Sequence, residues 1–229
     1  YRNIHIAVTL AIDDNNNIFI AYNGISVNSG IDKYNPTSGQ LTTYWTAVEN
    51  TIKINTICTF KNEVYSVISN PQSSHVDIKL VEIEQSKNYF IIIELQQIIT
   101  NKLFFNENIK GITADSKGNF YLTEVYDENN SGRILKYIKD DGIIVYCGSY
   151  GNQGETFNNG YGSSVKFCMP HGICVDSYDN IFIADSKNHL IRKIDETGRV
   201  TTFAGINQPG NIDGNKTDTA KFNEPISLQ

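Results

Sequence analysis

Residues 182–205 read FIADSKNHLIRKIDETGRVTTFAG. Three apolar runs of strand length are divided by two polar turns, and a glycine closes the stretch. The runs are rich in Ile, Val, Thr and Phe, which suit a pleated surface. The turns are rich in Asp, Asn and Gly, which tolerate the backbone angles that tight turns need. A fourth run, 172–175, precedes them across the turn DSYDN. The unit therefore reads as four short antiparallel strands: 172–175, 181–184, 190–194 and 200–204.

The unit repeats. TGRVTTFAG (197–205) has counterparts in SGQLTTYWT (38–46) and DGIIVYCG (141–148). DSYDNIFIAD (176–185) matches DDNNNIFIAY (13–22) and DSKGNFYLTE (115–124), with a weaker copy in FKNEVYSVI (60–68). A cation stands six positions before a turn glycine in three units: Lys33 and Gly39, Lys136 and Gly142, Arg192 and Gly198. The lead-in VKFCMPHGICVD (165–176) returns as LFFNENIKGITAD (103–115) and AKFNEPISL (220–228). Phe167 and Phe222 are 55 residues apart, Phe120 and Phe182 are 62, and Phe19 and Val64 are 45. Such periods, with several short strands in each, indicate blades of a β-propeller. A lone four-stranded sheet exposes both faces, and stacking blades buries them. The insertions NGISVNSG and YDENNSG place variable loops between second and third strands, and LQQIITNK (95–102) reads as a short helix.

The whole chain, 229 residues with 40% apolar side chains, is long enough for a sizeable core. A net charge of −6 and pI near 5.2 argue against a phosphate backbone or an anionic lipid surface as partner. No stretch approaches the ~20 apolar residues of a membrane span, so no membrane insertion is expected. YRNIHIAVTL, at the start, has no initiating methionine and no signal layout. The chain reads as part of a larger polypeptide, whose remaining parts would be natural partners. Acceptor patterns for N-glycosylation occur at Asn129-Asn130-Ser131 and Asn215-Lys216-Thr217, and they say little about secretion.

ADSKNHLIRKI resembles the NHL repeat, named after the triplet that stands here as Asn188-His189-Leu190. The resemblance is closest over 165–225, good over 11–46 and 105–148, and poor over 57–93. It implies an all-β fold, a β-propeller of NHL-type four-stranded blades in a ring of five or six. The expected blades are 8–46, 55–93, 105–148 and 165–205. A partial blade at 219–229 makes four complete blades and part of another, a portion of a larger ring.

Residues with chemistry to offer divide between scaffold and site. Cys174 stands where Ala11 stands, Cys147 where Ala204 stands, and Cys58 near the position of Cys174; alternation with alanine marks small buried hydrophobes. No Cys-x-x-Cys occurs, and free thiols suit a reducing compartment, which favours an intracellular setting. His171, in MPHGI, is the candidate channel residue. Peptidylglycine amidating lyases, which this repeat also resembles, carry histidines at that place in several blades, and these together bind zinc. The equivalent positions here hold Val8, Lys110 or Ile109, and Ile226. A catalytic zinc takes about three protein ligands, so no metal, cofactor or catalytic residue is assigned. His171, Lys110 and Glu124 are the binding candidates at channel or rim. Asp185 with Arg192, and Glu124 with Lys136, read as ion pairs bracing strands; Asn188 and His189 read as repeat residues, His189 as a polar cap on its turn. DGNKTD (213–218) lacks the order of a calcium loop, and no nucleophile elbow or phosphate loop is present.

The expected function is a non-catalytic protein-interaction scaffold. The alternatives are a metal-dependent lyase or hydrolase with a channel site, and an RNA-binding NHL propeller.

Overall fold

A computed structural model describes residues 5–24, 28–47, 53–69, 78–83, 91–93, 109–126, 130–138, 141–149 and 157–229. The helix expected at 95–102 lies outside them. The strands form antiparallel sheets in which spatial order follows chain order. Two compact units divide the chain, 1–107 and 108–229.

The first unit holds two blades. Blade one is β1 (His5–Ile12), β2 (Ile18–Gly24), β3 (Gly30–Asn35) and β4 (Gln40–Thr46). Blade two is β5 (Lys53–Phe60), β6 (Glu63–Ser69), β7 (Ile78–Ile83) and β8 (Ile91–Ile93). The second unit holds blade three, β9 (Ile109–Ala114), β10 (Phe120–Tyr126), β11 (Ser131–Ile138) and β12 (Gly142–Gly148). A two-residue strand, β13 (Phe167–Cys168), adds to β11. Blade four is β14 (Pro170–Val175), β15 (Ile181–Asp185), β16 (Leu190–Ile194) and β17 (Val200–Ala204). The fold is all-β and made of propeller-type four-stranded blades.

The insertions are shorter as loops than their sequence suggests. β2 runs on through Asn23 and Gly24, β3 begins at Gly30, β10 reaches Tyr126 and β11 begins at Ser131. In blade three the added pairs give β13 an edge to join: Ser131 faces Cys168 and Gly132 faces Phe167. In blade one the added residue Asn23 works across blades. Its side-chain Nδ2 donates to the Ile54 carbonyl at 2.9 Å and its Oδ1 accepts from the Ile54 N–H at 2.8 Å. A side-chain amide thus imitates one rung of a β ladder.

The turn between first and second strands is built the same way in three blades. Asp13, Asp115 and Asp176 each accept from the backbone N–H groups two and four residues on, and from the side-chain amide of Asn17, Asn119 or Asn180. An Asp side chain folding back on its own turn explains why the pattern D-x-x-x-N recurs. Blade two has no such aspartate; Lys61 and Asn62, both at positive φ, make its two-residue turn.

Strand register corrects two alignments made from sequence. Lys33 faces Phe19, Lys136 faces Tyr121, and Lys193, not Arg192, faces Phe182. Each ammonium lies over its ring, at 5.4, 5.1 and 5.9 Å from the centroid. A fourth-strand residue completes each set where the ladder shifts register: Tyr44, Tyr146 and Phe203 sit edge-on to those rings at 4.9, 5.5 and 4.9 Å. In blade two Tyr65, rather than Val64, faces Cys58 as Phe19 faces Ala11, and its third-strand partner is Glu82.

Within each unit the blade bearing this aromatic face packs it on the branched aliphatic face of the next. In the first unit Ala11, Phe19, Ala21, Ile31, Tyr44 and Trp45 meet Ile54, Ile57, Val64 and Ile68. In the second, Tyr121, Ile134 and Cys147 meet Ile173, Ile181, Ile183, Ile194 and Val200. The first strands approach so closely that a Cβ on Gly111 would lie 2.7 Å from the His171 carbonyl oxygen. Gly172, one blade on, meets Ser227 Cα at the same distance. Residues 225–228 therefore lie against β14 much as β14 lies against β9.

Candidate functional site

Strand β15 ends in Asp185, wholly buried. Its Oδ2 accepts from Arg192 Nη1 at 2.9 Å and from Asn188 Nδ2 at 2.9 Å, and its Oδ1 accepts from the Cys168 N–H at 2.7 Å. Burial pushes the Asp185 carboxyl up, against the pull of Arg192 and of the donors from Asn188 and Cys168. Arg192 is itself wholly buried. It donates onward to the Lys166 and Asn158 carbonyls and to Asn159 Oδ1, between the rings of Phe157 and Phe167. The pair thus anchors the segment 157–168 to blade four rather than presenting charge to a ligand.

Glu124 holds the corresponding place in blade three, but its cation differs from the expected one. Arg133 Nε lies 2.5 Å from Glu124 Oε2, both side chains being buried, whereas Lys136 is engaged with Tyr121 and Tyr146. Register accounts for the change: Glu124 faces Arg133 directly, and Lys136 stands three residues further along β11.

His171 lies in the irregular start of β14, where pairing with β15 shifts between Pro170 and Ile173. Its carbonyl accepts from Thr123 Oγ1 at 2.6 Å, which ties β10 to β14. The ring is half-buried. The same step of the first strand holds Val8, Asn55 and Lys110, each at a register shift. Lys110, not Ile109, is thus the counterpart of His171; Ile109 is buried. Asn55, which the sequence comparison did not place, completes the set. Within the second unit this step holds one imidazole and one lysine, which do not fit the donor set of a catalytic zinc. Among the described residues no three His, Cys, Asp or Glu side chains converge.

His189 is the left-handed residue that closes the 3-10 turn Ser186–Asn188, with φ 56°. Its ring does not cap that turn. Nδ1 accepts instead from the Glu224 N–H, at 3.1 Å. Lys187 Nζ reaches Glu224 Oε1 at 2.6 Å, which holds the Glu224 carboxyl below its usual range. Ser186 Oγ donates to the Pro225 carbonyl and the Gly172 N–H to the Ile226 carbonyl. The NHL triplet therefore receives the polypeptide 35 residues further on, a contact that no local pattern announces.

Cys58, Cys147 and Cys168 are buried free thiols and Cys174 is half-buried. Burial pushes the Cys147 thiol up to about 12 and raises those of Cys58 and Cys174. Cys147 takes the register place of Ala204 and Cys174 that of Ala11. No helix among the described residues is long and apolar enough to cross a membrane.

Antiparallel four-stranded blades, packed in pairs within each unit by an aromatic face on an aliphatic one, define a propeller-type repeat protein. Residues 167–194 match the NHL repeat. Over 100 residues the chain is 36% identical to NHL repeat-containing protein 2 of Gallus gallus, covering 43% of this chain and 13% of that one. It spans between 7% and 17% of the curated relatives it matches. Among solved structures it is similar to a protein of unknown function from Bacteroides thetaiotaomicron, with TM-score 0.72, 23% identity, and coverage of 95% of this chain and 52% of that one. It is also similar to virginiamycin B lyase from Staphylococcus aureus, with TM-score 0.54, 18% identity, and coverage of 88% and 56%. These two likenesses are of fold.

Proposed function

We propose that the chain is a non-catalytic protein-interaction scaffold. The observation that carries this reading is the open aliphatic face of blade one. Cross-strand rows Ile12, Ile18, Tyr34, Leu41 and Leu10, Ile20, Asp32, Thr43 form that face. Leu10 is 59% exposed, Leu41 58%, Ile12 42% and Val8 39%. The same face of blade four carries Ile173, Ile181, Ile183, Ile194 and Val200, all buried against blade three. In blade four this face receives a neighbouring blade, so the partner that it fits is a further β-sheet blade, of the same polypeptide or of another protein. The acidic chain disfavours nucleic acid on it. Asp185 with Arg192 and Glu124 with Arg133 are engaged as buried braces, and the likeness to a lyase extends to the fold alone.

A photo-crosslinking residue at position 10, used in an extract of the source cells, tests the proposal. A discrete protein adduct should form. Unlabelled wild-type chain should compete it away, and a folded Leu10→Asp/Leu41→Asp variant should not. Absence of any adduct, or equal competition by the variant, would overturn it.

A further inference from the structure

The chain contains two Asn-Gly steps, Asn23-Gly24 and Asn159-Gly160. A glycine has no side chain to shield its backbone nitrogen, which can then reach the carboxamide carbon of the residue before it. Asn23 is held at both carboxamide atoms by the Ile54 backbone. Asn159 is held at one: its Oδ1 accepts from Arg192 Nη2 at 2.8 Å, and the same nitrogen donates to the Asn158 carbonyl at 2.9 Å. Gly160 exchanges two backbone hydrogen bonds with Val200. Its N–H donates to the Val200 carbonyl at 3.0 Å, and its carbonyl accepts from the Val200 N–H at 2.8 Å. Asn158 pairs with Lys166 and closes the loop between them. Gly160 stands at φ 141°, and a Cβ there would lie 2.9 Å from Ser164 Oγ, so the place is reserved for glycine. Asn159 itself is exposed to solvent.

We propose that Asn159-Gly160 is a self-modification site, a deamidation switch whose electrophile is primed and whose nucleophile is locked. The Arg192 guanidinium polarises the Asn159 carbonyl and faces the oxygen on which negative charge gathers during attack. The Gly160 nitrogen, however, has its proton engaged by Val200 and is turned away from the carboxamide. When the Gly160–Val200 pair opens, that nitrogen gives its proton to a solvent base and bonds to Asn159 Cγ. The carboxamide nitrogen leaves as ammonia, and a cyclic imide remains. Water then adds to one of the two ring carbonyls. Opening on one side gives aspartate at 159, which leaves the main chain unchanged and offers Arg192 a carboxylate. Opening on the other gives isoaspartate, which routes the main chain through the side chain and lengthens it by one carbon. The pairs Asn158–Lys166 and Gly160–Val200 cannot then both be kept. An opening of the segment 157–166 is thereby recorded covalently, and the isoaspartate product cannot close it again. The proposal is independent of what binds the open face of blade one.

Ageing of the full chain in water enriched in oxygen-18, followed by peptide mapping, reads the reaction, because each deamidated residue gains one oxygen from water. Asn159 should convert at least about tenfold more slowly in the folded chain than in an unstructured peptide of residues 157–164, the worth of the hydrogen bonds that must open first. Val200→Pro removes the outward-facing donor of this pair at a strand edge, where proline is tolerated. It should raise the Asn159 rate about threefold to tenfold and leave the Asn23 rate and the amide exchange of β15 unchanged. Full chains deamidated in urea and returned to buffer read the consequence, since the peptic peptides of the two products separate by chromatography. The isoaspartate product should lose amide protection across 158–166, and the aspartate product should keep it. The proposal is overturned by an Asn159 rate equal to that of the peptide, by a rate that Val200→Pro does not raise, or by isoaspartate chains that stay protected. The wild-type rate and the exchange of the two products decide the matter even if Val200→Pro fails to fold.

Discussion

Asp185 and Arg192 show how much depends on a single buried pair. Each is fully enclosed, and Arg192 also satisfies three acceptors in the segment 157–168. Arg192→Ala should cost about 3–5 kcal/mol, because the carboxylate would remain buried without its cation. Lys187→Ala, at the exposed pair with Glu224, should cost less than about 1 kcal/mol. Urea unfolding of the two variants checks the contrast; equal losses would contradict it. Asp179 offers a test by pH. Its carboxylate accepts from the Ser116 hydroxyl and N–H, at 2.7 and 2.8 Å, clasping the turn of blade three to that of blade four. The Ser116 hydrogen bonds hold the Asp179 carboxyl below its usual range. The clasp's contribution is then fully present above the unfolded Asp value of about 4 and is lost as pH falls through the lower folded value. A carboxyl carbon NMR titration should find the Asp179 midpoint below that of an unstructured aspartate, and Ser116→Ala should move it back up.

At the scale of the strand, close approach is the controlling quantity. Gly111 and Gly172 hold the same step of successive first strands, and at each a Cβ would meet backbone at 2.7 Å. Backbone cannot swing aside as a side-chain tip can. Gly172→Ala should therefore loosen 225–228 from β14, seen as faster amide exchange there, while the pairing of β15 with β16 is kept. Unchanged exchange at 225–228 would show that this segment does not depend on the contact. The strands of blade four were readable from sequence because their alternation and their turn residues agree. The aspartate turns were readable too, since Asp176 and Asn180 bond within five residues. What could not be read was register. Lys33 and Lys136 stand six residues before a turn glycine, but Lys193 stands five before Gly198. Counting back from the glycine moves the cation one place and to the other face of the sheet, which is how Arg192 came to stand in for Lys193. Arg133 was hidden differently: it takes the register place of Leu190, an apolar position in blade four, so the repeat announces no cation there. The contact of His189 with Glu224 spans 35 residues and leaves no local trace.

At the scale of the whole molecule, two units carry one construction: blades whose aromatic face seats the aliphatic face of the next. Blade one keeps such an aliphatic face in water. Leu10→Asp should therefore change stability by no more than about 0.5 kcal/mol, whereas Ile183→Asp, at the same register step inside the second unit, should prevent folding of that unit. Thermal unfolding followed by circular dichroism separates the two outcomes. The buried thiols give the molecule a further property. Cys58 lies in the first unit, and Cys147 and Cys168 in the second, all of them buried. A thiolate forms there only when the surrounding structure opens, so alkylation becomes a clock for opening. With Cys174 replaced, the labelling rates of Cys58 and of the Cys147–Cys168 set would time the breathing of each half of the chain separately. No engineered labelling site would be needed, because the sequence already carries the thiols.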